Sequence, residues 1–151
     1  MYQQLLPFRI DNAYRGQKPA LWLFGLLLLM KSMMSLNSIF NGYFVATSAD
    51  GIPLDTFTPA GSQTVVSLFA ILGLSRLMLC LLGTLALVRY RAMIPLLFAL
   101  FGLEYLGGRL ILQLIPLVRT GTPTVTTVNL VLFASISIGL VLSLWSRQSN
   151  P

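Results

Sequence analysis

TVVSLFAILGLSRLMLCLLGTLALVRYRAMIPLLFALFGLEYLGGRLILQLIPL, residues 64–117, is the stretch on which the architecture turns. It contains two apolar runs, 64–88 and 93–117, and about 20 apolar residues suffice to cross a bilayer as a helix. Only Arg89, Tyr90, Arg91 and Ala92 separate them. So short a turn predicts that the two spans are antiparallel neighbours. Pro95 falls in the first turn of the second run, where a missing N–H costs little.

Outward from this stretch the pattern repeats. A first span is expected over about 20–44 and a last one over about 125–145, with Thr124 or Thr126 as its cap. The polar stretch 47–63 holds Asp50, Asp55, Pro53, Pro59, Gly51 and Gly61, and reads as an ordered or partly re-entrant outer loop. Residues 1–19 mix Arg9, Arg15 and Lys18 with Leu5, Leu6, Phe8, Ile10 and Tyr14, as expected of an interfacial segment lying on the membrane surface. The expected fold is all-α: a polytopic membrane protein, one domain over 1–151, built as a four-transmembrane-helix bundle. No internal repeat is visible. The first span reads as a retained helix, because it is long for a signal sequence and carries Lys31.

Composition points the same way. Only 9% of residues are charged, against roughly 25% in soluble domains, which excludes a soluble globule. The net charge is +6, but the bases lie beside or inside the apolar runs, without a basic patch interleaved with exposed aromatics. That argues against a nucleic-acid partner. Arg9, Arg15, Lys18, Arg89, Arg91 and Arg147 fall on one side and Arg119 alone on the other, with both loop aspartates. The positive-inside rule then places both termini in the cytoplasm, and Tyr43, Tyr90 and Trp145 near span ends suit the interface.

Catalytic chemistry is sparse. Cys80 is the single cysteine and histidine is absent, which removes an internal disulfide, the commonest general base and the commonest metal ligand. Asp50 and Asp55 fall short of the ligand count of a calcium site, so no metal is expected. No nucleophile arrangement or phosphate loop is present, and an enzyme is not expected.

The residues that stand out are charges within the spans. Lys31, Arg76 and Glu104 each lie near the centre of a run, at one depth, where they could meet. A base at a helix centre costs about 2.5 to 3.5 kcal/mol on insertion scales, so each demands a partner or water. At 100° per residue, Lys31, Ser35, Ser38 and Gly42 share one face of the first span. Arg76 shares a face with Cys80 and Gly83, and Arg109 with Gly102, Tyr105 and Gln113. Glu104 and Arg109 point about 140° apart, so Glu104 is expected to pair with Arg76 or Lys31 from another helix. Arg109, about 7.5 Å further outward, is expected to extend toward the outer surface. Three bases against one acid leave an excess of positive charge. On the last span, Ser135, Gly139 and Ser143 form a row of small residues expected to pack against another helix.

From about Leu72 to Pro123, the arginine in the second span, the turn Val-Arg-Tyr-Arg-Ala-Met-Ile-Pro, and the segments Leu-Glu-Tyr-Leu-Gly-Gly-Arg-Leu-Ile and Val-Arg-Thr-Gly-Thr-Pro make up a recognisable set. It resembles the small bacterial four-helix membrane proteins grouped loosely as DoxX-like. The resemblance implies a bacterial inner-membrane location and, since some DoxX-like proteins are membrane subunits of quinone-linked oxidoreductases, a quinone or respiratory partner. The leading expectation is an accessory or assembly subunit that packs against other membrane subunits or itself. The alternative is a binder of a lipid, quinone or other amphiphile in a cavity lined by Arg76, Glu104 and Arg109.

Overall fold

The computed structural model describes Asn12, Tyr14 and residues 16–120 and 124–145. Among these residues the regular structure is helical, with no strand. Four helices are long and apolar enough to cross a membrane: α1 (Lys18–Phe40), α2 (Pro59–Arg89), α3 (Ile94–Leu114) and α4 (Thr124–Leu144). Most of the expected interfacial segment, residues 1–11, 13 and 15, lies outside the described residues, as do Arg147 and residues 121–123.

The boundaries differ from expectation for local reasons. α1 breaks at Asn41 (φ −125°, ψ 39°), earlier than residue 44, and the chain then winds through a helical turn, Gly42–Phe44, and a wider π turn, Val45–Ala49. The stretch from 47 is therefore helical at its start and ordered beyond it. Ala46, Ile52 and Leu54 are buried against Val65, Val66 and Phe69. α2 begins at Pro59 rather than 64. Thr58 precedes it, and its hydroxyl accepts the Gly61 N–H at 3.2 Å. A threonine cap followed by proline in the first turn is a start signal that the apolar run alone does not show. α3 stops at Leu114, short of 117.

α1 is the central helix. One face packs along α2 and another along α4, while α3 packs chiefly on α4. The expectation that α2 and α3 are close neighbours is corrected: apart from the turn that joins them, their contact is slight. The reason lies in where α2 keeps its small residues. Gly73, Cys80, Gly83 and Ala86 are its buried positions. At Gly73 a β-carbon would come 2.9 Å from the Ser35 carbonyl oxygen, and at Gly83 it would meet the Leu28 side chain, so this stripe belongs to α1. On α1 the matching positions are Leu28, Ser35 and Ser38, and Gly42 follows in the turn beyond it, at spacings of seven, three and four. That is the three-four alternation of closely packed, slightly crossed helices.

The second seam joins α3 to α4. Ile94, Phe98 and Phe101 meet Leu132 and Ile136 in one core, with Phe24 of α1 set edge-on to Phe98 at 4.9 Å between ring centres. A β-carbon on Gly139 would overlap the Phe98 ring. Of the row of small residues, Gly139 and Ser143 are buried, whereas Ser135 is half-buried and its hydroxyl donates back to the Val131 carbonyl.

Candidate functional site

Three helices deliver one charge each to the middle of the bundle. Lys31 sits midway along the α1 seam, and the next turn is fixed behind it by the Ser35 hydroxyl, which donates to the Lys31 carbonyl at 2.8 Å. Its ammonium donates to Glu104 Oε2 of α3 at 2.8 Å and lies 4.7 Å from the centre of the Phe101 ring. Phe101 precedes Glu104 by three residues, so one face of α3 presents a carboxylate and an aromatic ring to the same cation. Arg76 enters from α2, with Nε 3.3 Å from Oε1 of the same carboxylate. Glu104 thereby serves two bases, one on each oxygen. The side chains differ in setting: Lys31 is 15% exposed, Glu104 29% and Arg76 56%.

Arg76 is so exposed because α2 and α3 barely touch. Both ion pairs bridge helices that touch little, since α3 packs chiefly on α4, but Lys31 is the more enclosed of the two bases. Cys80, one turn from Arg76 on the same face, is buried in the α1 seam.

The other expected site residues are not gathered here, which corrects the proposed lining of Arg76, Glu104 and Arg109. Arg109 is exposed on α3, with its guanidinium carbon 6.0 Å from the Tyr105 ring centre. Tyr105 stacks on Phe133 of α4 at 4.6 Å, so it belongs to the α3–α4 seam. Gln113 is exposed near the end of α3. The wide angle between Glu104 and Arg109 sends them to different surroundings, and a shared line of residues on α3 does not turn Arg109 toward Arg76.

A second polar feature lies where the 41–58 and 115–120 segments meet. Gly51 adopts φ +71°, a conformation that side-chain-bearing residues rarely take, and its carbonyl accepts both the Thr120 N–H at 2.8 Å and the Thr120 hydroxyl at 3.2 Å. This clasp sets Asp50 next to Arg119. Burial pushes the Asp50 carboxyl above its ordinary range, while the positive charges of Arg119 and, more weakly, Arg76 pull it back. The sequence offered one signal for this pairing, opposite charges in the two connections on the same side of the spans. Phe101 had a signal too, its shared face with Glu104.

Chemically, the cluster is an ion-pair centre in which two bases share one carboxylate. It holds no nucleophile activated by a base. Among the described residues no three His, Cys, Asp or Glu side chains group as metal ligands. Comparison with protein-family models, with curated proteins and with solved structures returns no match.

Proposed function

We propose that the chain is an integral membrane subunit of the bacterial inner membrane, with both ends cytoplasmic, which packs against a larger membrane complex as an accessory or assembly component. One observation carries this reading: a half-exposed arginine stands in the middle of an apolar helix that has a close neighbour on one face only. Leu68, Leu72 and Leu79 are exposed on the side of α2 that carries Arg76, and Ile71, Leu74, Met78, Leu81, Leu82 and Leu85 are exposed further round the helix. Lipid tails can cover the leucines as well as a protein does, but they offer a guanidinium no acceptor. The orientation is supported by Lys18, Arg89 and Arg91 at one end of the bundle and by Arg119 with Asp50 at the other.

A second reading, a binder of a quinone, lipid or other amphiphile, draws on the same exposed Arg76 beside the gap between α2 and α3. Purification of the full chain from its native membranes in mild detergent, followed by mass spectrometry, separates the two. The subunit reading expects a stoichiometric membrane protein. A chain that emerges alone with one bound quinone or lipid per copy contradicts it and favours the second. Reporter fusions check the orientation: an alkaline phosphatase fused to the C-terminus is expected to be inactive, and activity there contradicts it.

A further inference from the structure

The Arg76 guanidinium carries the charge that the cluster leaves over. Lys31 and Arg76 bring two positive charges to one carboxylate, and both oxygens of Glu104 are taken. Arg76 approaches Glu104 through Nε, at 3.3 Å from Oε1, and a guanidinium has five N–H donors. Among the described residues no second carboxylate lies within ion-pair distance of it. Asp50 exerts its field on Arg76 from the loop but makes no ion pair with it. The exposed part of this side chain stands midway along a helix that spans the membrane in the reading given above. Head-group phosphates are then about 15 Å away, half the hydrocarbon thickness.

We propose that the flank of α2 around Arg76 docks a membrane-spanning helix of a different protein, one that carries an aspartate or glutamate near the middle of the bilayer. The proposal rests on the subunit reading and names the chemistry of the partner. Charge complementarity selects it. One carboxylate at that depth brings the cluster to neutrality, gives the free guanidinium nitrogens a planar two-oxygen acceptor, and is itself costly in lipid without such a base. Leu68, Leu72 and Leu79, exposed on the same side of α2, supply the apolar contact surface. A second copy of this chain does not supply the acid. Its four acidic residues are Asp11, Asp50, Asp55 and Glu104; only Glu104 lies in a span, and it is already shared between two bases.

The probe is a synthetic polyleucine helix with one central glutamate, compared with the same helix carrying glutamine or lysine. Each is labelled for energy transfer to the full chain in phosphatidylcholine vesicles. The glutamate helix is expected to associate about tenfold more tightly than the glutamine helix, and the lysine helix to be rejected. Arg76→Gln should abolish the preference and Arg76→Lys should retain most of it. The comparison among peptides needs no variant, so it stands even where Arg76→Gln fails to fold. Equal association of the three helices with the unaltered chain overturns the proposal, as does a preference that survives Arg76→Gln. Displacement of the glutamate helix by stoichiometric oleate also overturns it, since the site would then take a free carboxylate amphiphile. A native complex that persists in Arg76→Gln removes this docking site and leaves the subunit reading intact, whereas a chain that purifies alone removes the subunit reading itself.

Discussion

Glu104→Gln is expected to be the most damaging single change in the middle of the bundle, lowering stability by ~3 to 5 kcal/mol. The substitution nearly preserves volume, so the loss is electrostatic. Lys31, which is 15% exposed, would keep its charge in a packed, low-dielectric setting with only the Phe101 ring and backbone dipoles for company. Arg76 adds less, because its half-exposed side chain can reorient away from the bundle. Arg76→Met should therefore be the milder single change in the isolated chain. Reversible unfolding in mixed micelles measures both, and a larger loss from Arg76→Met than from Glu104→Gln would reverse the assigned roles of the two bases.

Gly139→Leu is expected to cost ~3 kcal/mol through a different cause. A β-carbon there already overlaps the Phe98 ring, which is pinned in turn by Phe24 and by the buried face of α3. The ring has nowhere to go, so the α3–α4 seam must open, and forced overpacking of this kind costs about 1 to 3 kcal/mol or more. Gly107→Leu is the internal control. A β-carbon at Gly107 has nothing within 4 Å, so leucine there should change stability by less than about 1 kcal/mol, with the gain in helix propensity as the main term. Similar losses from the two substitutions would mean that α3 and α4 carry these glycines for a reason other than close packing.

The span count was legible because it depends on a quantity that sequence carries directly, the length of apolar runs. The common depth of Lys31, Arg76 and Glu104 was legible for the same reason, since each lies near the middle of its run. Helix adjacency was not. The short Arg89-Tyr90-Arg91 link fixes where α3 begins but not which face of α2 it meets. That choice fell to the small residues Gly73, Cys80 and Gly83, which let α1 approach more closely than α3 could. Arg109 illustrates a similar limit. Its position on a line with Tyr105 and Gln113 is a property of α3 alone, whereas its surroundings depend on how α3 is rotated by Tyr105 stacking on Phe133. The Gly51–Thr120 clasp joins positions 69 apart on a backbone carbonyl, that of Gly51, and a backbone acceptor leaves no trace in residue identity.

The sharing of Glu104 between two helices is most directly tested by a double-mutant cycle of Lys31→Met and Glu104→Gln, read as unfolding free energy in mixed micelles and repeated in an Arg76→Met background. With a shared carboxylate, the double variant is more stable than Glu104→Gln alone, and the coupling is on the order of 2 kcal/mol. It should be larger in the Arg76→Met background, where Lys31 no longer competes for the acid. Effects of Lys31→Met and Glu104→Gln that simply add, in either background, would contradict a carboxylate held between α1 and α2.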